Sequence, residues 1–249
     1  MAGAAHGQSD TPWAGAYAGV NAGGASMETC NAWTPSGTLV GPASPGAFSL
    51  RNCSGGGLVG GVQIGENFQT RRLVFGVGAD LDFWSAKTHS SSLKYAGQAL
   101  PAGTYTSSGK LSPSDFIAIG PRIGYAGDQW LPYLRMGAIL ASGSSGGALN
   151  YAPTGSAKPL VSWNGGRSFA GSGWVAGGGT EMGLNGAWSI SAEYLHVNLG
   201  KGSSSAFACN GSTAACAAFS GTLLESAHDR FTANLFRVGI NYWFGYWGP

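Results

Sequence analysis

The chain has little of what marks an enzyme, a nucleic-acid binder or a helical membrane protein. It contains no apolar run long enough for a transmembrane helix. Charge is scarce: 13 Lys and Arg against 11 Asp and Glu leave +2 over 249 residues, too weak a field to hold nucleic acid. The four cysteines, Cys30, Cys53, Cys209 and Cys216, lack metal-ligand spacing, and no histidine accompanies them in a ligand pattern. No phosphate-binding loop or dinucleotide fingerprint occurs. No metal and no cofactor is expected.

What is abundant points elsewhere. There are 44 glycines beside 9 Trp, 9 Tyr and 11 Phe. Glycine alone would suggest disorder, but the aromatics argue against it. Glycine and aromatics together, with few helix-formers in runs, fit an all-β chain. The cysteines then read as two disulfides in an oxidising compartment. The pairs expected are Cys30–Cys53 and Cys209–Cys216, each within one loop. The first residues hold no apolar core of signal length, but Ala2-Gly3-Ala4-Ala5 would suit the tail of a removed signal.

Eight segments alternate with period two, at about 13–24, 57–69, 72–84, 114–126, 131–142, 171–184, 187–199 and 230–244. Their connections alternate in length. Those at about 25–56, 85–113, 143–170 and 200–229 run to about thirty residues. Those at 70–71, 127–130 and 185–186 are tight, and Asn185-Gly186 is a strong hairpin signal. Long unstructured loops are uncommon in a compact domain. A membrane barrel explains them, with short turns at one end, long loops at the other and an even strand number.

The faces agree. Leu73, Phe75, Val77, Ala79, Leu81 and Phe83 alternate with Val74, Gly76, Gly78, Asp80, Asp82 and Trp84. Phe236, Val238, Ile240, Tyr242 and Phe244 alternate with Arg237, Gly239, Asn241 and Trp243. A soluble eight-stranded barrel would bury the apolar face and wet the other. The other face, however, is largely glycine with isolated charges, which suits a crowded interior. Trp13, Tyr125, Trp188, Tyr194, Tyr242 and Phe244 fall near strand ends, where aromatic girdles sit.

Trp13-Ala14-Gly15-Ala16-Tyr17-Ala18-Gly19-Val20-Asn21 resembles the opening strand of the small outer-membrane β-barrel proteins of α-proteobacteria, OmpA-like in shape. Gly60-Gly61-Val62-Gln63-Ile64-Gly65, Gly76-Val77-Gly78-Ala79-Asp80-Leu81, Arg122-Ile123-Gly124-Tyr125-Ala126, Glu193-Tyr194-Leu195-His196-Val197 and Arg237-Val238-Gly239-Ile240-Asn241-Tyr242-Trp243-Phe244 continue the likeness in order. The resemblance implies an eight-stranded antiparallel transmembrane up-and-down β-barrel in the bacterial outer membrane, with loops outside and termini periplasmic. The chain then divides into a leader or periplasmic segment at 1–12, the barrel at 13–244 and an extension at 245–249. Family members are mostly structural proteins and surface antigens, some of them adhesins or hemin binders, so membership does not fix an activity. The extension past Phe244, the loop cysteines and Glu66, where the family commonly has an aromatic, depart from its pattern.

Five groups of residues are candidates for function. Asp80, Asp82, Glu181 and Glu193 face Arg122, Arg135 and Arg237 across the lumen, either as an ion path or as a packed polar plug; near balance of sign favours the plug. Lys87, Arg167, Lys201 and Arg230 stand near the outer rim, where lipopolysaccharide phosphates lie, as ligands or as ordinary solvated charge. Ala14, Ala16, Ala18, Val20 and Ala22, with Gly60 and Glu66 on the next strand, form a smooth outward stripe that suits either a protein partner or plain lipid contact. His196 faces outward as in lipid-modifying barrels, but Asn198 stands where a nucleophilic serine would be needed. Loop aromatics Trp33, Tyr95, Tyr105, Tyr151 and Trp163 suit ligand binding or loop packing. The expected role is structural and non-enzymatic, in contact with outer-membrane lipid, lipopolysaccharide or a partner protein. An adhesin or small-ligand receptor is the alternative, and a lipid-modifying enzyme comes third.

Overall fold

A computed structural model of the chain describes residues 12–28, 32–35, 55–85, 89–95, 103–184, 187–201, 205–211, 223–226 and 230–244. Twelve strands account for most of them: β1 Gly15–Glu28, β2 Ala32–Pro35, β3 Gly55–Thr70, β4 Leu73–Trp84, β5 His89–Tyr95, β6 Gly103–Tyr125, β7 Trp130–Pro153, β8 Val161–Gly183, β9 Trp188–Lys201, β10 Ser205–Gly211, β11 Leu223–Ser226 and β12 Arg230–Trp243. Eight of them close on themselves in the order β1, β3, β4, β6, β7, β8, β9, β12, and β12 pairs back to β1. Every pairing is antiparallel. Closure leaves the barrel wall without an exposed edge, as a wall in hydrocarbon must be.

Alternation sets the two faces. Val20, Val62, Ile64, Phe75, Val77, Ile119, Leu134, Met136, Val238 and Ile240 are all exposed, forming an apolar outer belt. Their sequence neighbours point inward and are buried or half-buried. Water would make such a surface aggregate; lipid is the solvent that matches it. Tyr125, Trp188, Tyr242 and Phe244 stand exposed at the short-turn end, with Phe68 and Trp130 beside them.

Trp13 does not belong to that girdle. It is fully buried. It precedes β1 and folds under the barrel, where its Nε1 donates to the Gly127 carbonyl at 3.2 Å and its backbone N–H to Gln69 Oε1 at 2.9 Å. Its edge meets Trp243 with ring centroids 6.0 Å apart. A residue before the first ladder pair is not bound by strand parity, so position near a strand end misplaced it.

The long connections also carry more strand than alternation indicates. The stretch at 143–170 is mostly a continuation of β7 and β8, which stay in register from Trp130↔Met182 up to Tyr151↔Val161. β5 returns along the upper part of β6. β10 pairs with the upper end of β8, β11 with β10 and β2 with β11. Ser and Gly are frequent at 143–170, in β5 and in β10, and backbone pairing with a neighbouring strand holds each segment.

Candidate functional site

The lumen is filled in three layers. At the turn end, Trp13, Tyr17, Val74, Ala126, Leu131, Tyr133 and Trp243 pack together. At the loop end, Val59, Trp84, Phe116, Ile139, Val175, Leu195, Val197 and Leu235 form an apolar layer. Between them lie the charges. Glycine on the inner face creates the room: a Cβ on Gly65 would overlap the Tyr17 ring, and one on Gly76 would overlap the Asn67 amide.

All seven charged residues expected inside are there, and their ion pairs gather them into two groups. Asp80 and Asp82 come from β4, Arg122 from β6, Arg135 from β7, Glu181 from β8, Glu193 from β9 and Arg237 from β12. Arg237 is the hub. Its Nη1 donates to Asp82 Oδ2, and its Nη2 donates to Glu193 Oε2 and, at 3.2 Å, to Asp80 Oδ1. Arg135 grips the same acids: Nη2 donates to Asp80 Oδ2, and Nη1 lies 3.5 Å from Glu193 Oε1. Arg122 is held apart from these. Its Nε donates to Asn67 Oδ1 at 2.8 Å, its Nη1 reaches Glu181 Oε2 at 3.4 Å, and its guanidinium lies 4.4 Å from the Tyr17 ring centre. Glu181 Oε1 also accepts from the Ser189 hydroxyl, from Asn241 Nδ2 at 2.8 Å and from Trp243 Nε1 at 3.3 Å.

A lone ion in such a place would cost several kcal/mol, and shared partners offset much of that. The gap among the charged groups has a volume of about 10 Å3, lined in part by Tyr17, Gln63, Asp80, Arg122, Arg135 and Asn241. That is room for about one water and not for a hydrated ion. The sequence reading, which put polar groups and glycine inside, missed the apolar layer above them. The inward residues Val59, Val175, Leu195 and Leu235 alternate with outward residues, many of them also apolar, so period two gave no sign of which side they face.

The outer surfaces hold the other candidates. Ala16, Val20, Ala22 and Glu66 are exposed, Ala18 and Gly60 lie on the same outward face, and Ala14, half-buried, precedes β1 and its ladder. In register, Glu66 sits between Ala16 and Val77. His196 also faces out, but its neighbours make no hydrolytic constellation: its Nδ1 lies 2.8 Å from Asn234 Oδ1, and Tyr194 donates its hydroxyl to the same oxygen at 2.7 Å. Of the rim cations, Lys87 lies outside the described residues. Arg167, Lys201 and Arg230 belong to β8, β9 and β12, with Arg230 and Lys201 opposite one another. Cys30, Cys53 and Cys216 lie outside the described residues, and Cys209 stands on β10, so the expected disulfides do too. Tyr151 is buried in the extension of β7; Trp33, Tyr95, Tyr105 and Trp163 fall on β2, β5, β6 and β8.

Known proteins resemble this architecture at several levels. The 31 kDa outer-membrane immunogenic proteins of Brucella melitensis and Brucella suis are each 30% identical over 191 residues, covering 76% of this chain and 72% of theirs. Among solved structures, Ail, the attachment invasion locus protein of Yersinia pestis, is 10% identical with a TM-score of 0.33, covering 92% of this chain and 99% of its own. The outer membrane protease OmpT of Escherichia coli is 10% identical with a TM-score of 0.45, covering 94% and 98%. The family model for the outer membrane protein β-barrel domain matches residues 1–244. With a closed eight-stranded wall, an apolar belt and that match, the chain belongs to the outer membrane protein β-barrel domain family and is an outer-membrane protein.

Proposed function

We propose that the protein is a closed, non-enzymatic structural barrel that packs in the outer membrane, with its loop end outside and its termini periplasmic. The filled lumen carries this reading. An ionic layer bridging six strands lies between two apolar layers. Single-channel recording in planar bilayers tests it. Insertion should produce no stable conductance; a steady, ion-selective current would overturn the reading.

The loop end supports a second role as a surface receptor or adhesin. β6, β7 and β8 reach 23–24 residues, against 12–16 for the other barrel strands, and four short strands attach around them. The surface so built suits presentation to the environment, and the Brucella relatives are named as immunogenic. Deleting the upper strands one set at a time, with host-surface and hemin binding as readouts, separates a receptor from a purely structural barrel.

The stripe around Glu66 bears on whether the barrel works alone. A protein neighbour against Ala16, Ala18, Ala22 and Gly60 would shield the carboxylate and approach closely. Glu66→Tyr should leave heat-modifiable folding intact and abolish co-purification of that neighbour from native membranes in mild detergent. Unchanged co-purification would remove the partner.

A further inference from the structure

Most of the outward face is apolar, but one patch is polar, and its polar groups are held in place. Trp174 on β8, Tyr194, His196 and Asn198 on β9 and Asn234 on β12 occupy adjacent positions on three neighbouring strands. Asn234 is directly opposite His196, and Trp174 is opposite Asn198. Trp174 and Tyr194 are half exposed, and the Trp174 and His196 rings lie 5.5 Å apart, tilted by 45°.

The hydrogen bonds fix which polar atoms of the patch are already paired. Asn234 Oδ1 is occupied twice, by the Tyr194 hydroxyl at 2.7 Å and by His196 Nδ1 at 2.8 Å. Asn198 Oδ1 accepts the Gly200 N–H at 2.9 Å. Both amides therefore keep their Nδ2 groups as donors. With Nδ1 turned to Asn234 Oδ1, Nε2 is the other polar atom of the His196 ring. The patch offers two amide donors, a ring nitrogen and an aromatic face. Sugar hydroxyls both donate and accept, so they pair with amide N–H groups and with a ring nitrogen in either role, and the C–H face of a pyranose ring stacks on indole. The small partners Ala176, opposite His196, and Gly178, opposite Tyr194, keep the floor flat.

The height of the patch selects the source of the sugar. Asn234 lies eight residues above Tyr242 of the lower girdle, about 20 Å across the membrane for a strand rising about 3.3 Å per residue and tilted by about 40°. That is within about 5 Å of the upper edge of an apolar band about 25 Å tall. Below the patch the outward face continues without a break through Phe236, Val238 and Ile240, all exposed.

We propose that Trp174, His196, Asn198 and Asn234 form a site for a pyranose ring of a membrane-anchored glycolipid, its acyl chains lying against β9 and β12 below. This deepens the outer-membrane packing of the proposed function but does not require a closed lumen. The test is binding of rough lipopolysaccharide to the full chain in detergent micelles, by microscale thermophoresis, with dimyristoylphosphatidylglycerol as the phosphate-only lipid and deacylated oligosaccharide as the lipid-free sugar. Trp174→Leu keeps the surface apolar while removing the stacking face, and Asn234→Leu keeps the side-chain size while removing the amide. Each should weaken lipopolysaccharide binding at least tenfold, with unchanged heat-modifiable migration. The deacylated sugar should bind more weakly than the intact glycolipid yet compete with it. Equal binding by the variants, or equal competition by phosphatidylglycerol, would overturn the site. Conductance of the barrel with intact glycolipid binding would remove the closed-barrel reading and leave this one standing.

Discussion

At the scale of single residues, Arg237 carries the most. It pairs with Asp80, Asp82 and Glu193 at once and is almost wholly buried. Arg237→Leu leaves the acids to Arg135 alone, and Asp82 then has no arginine among the ion pairs of the lumen. Removing one partner of a buried pair costs about 3–5 kcal/mol. Urea unfolding of the variant in micelles should show a loss of that size. Arg237→Lys should lose part of it, because an ammonium lacks the fork that reaches three carboxylates. Arg237 was legible in the sequence: a charge on an inward position of a lipid-bounded strand must find opposite charges on other inward positions. Trp13 was not, because nothing in its neighbours distinguishes an interfacial tryptophan from one folded under the barrel.

At the scale of one strand, depth decides what an outward position tolerates. On β12, Ile240 and Val238 lie within the apolar belt, while Glu66 on β3 stands next to the lower aromatic Phe68. Val238→Arg should cost about 2–4 kcal/mol in transfer from urea to bilayer, the range for a cation near the midplane. Leu58→Arg, at the upper end of β3, should cost only about 0–1 kcal/mol. Equal costs would mean that the belt is not centred where the aromatics place it. Inner-face glycines impose the opposite rule. Gly65→Val should destabilise by about 1–3 kcal/mol or more, since the added carbons meet the Tyr17 ring; thermal unfolding followed by the gel-mobility shift reads this directly. The faces were legible because a one-residue slip would exchange them entirely. Strands β5, β10 and β11 were not legible, because their positions are set by backbone pairing with neighbours distant in sequence.

At the scale of the molecule, the barrel and its upper extension depend on one another in one direction only. The closed ring below residue 143 of β7 and above residue 169 of β8 is complete, with its own ladder, lumen layers and belt. The upper sheet hangs from that ring. β10 reaches it through pairs from Ala208↔Asn164 to Gly211↔Val161, β11 pairs with β10, and β2 pairs with β11. Replacing residues 144–168 by a short Gly-Ser turn should therefore leave a heat-modifiable barrel of unchanged urea midpoint. The same change removes the strand edge on which β10 sits, so chymotrypsin should cut at Phe207 in the shortened protein far faster than in the full chain. Rapid cleavage with an intact barrel core is the expected pattern. Loss of the barrel itself would show that the upper hairpin of β7 and β8 nucleates the wall; continued protection of Phe207 would show that β10 docks elsewhere on the rim. The asymmetry follows from where the burial lies: the ionic layer and both apolar layers are built almost wholly from residues of the eight barrel segments, so the lumen keeps all its partners when the extension is gone.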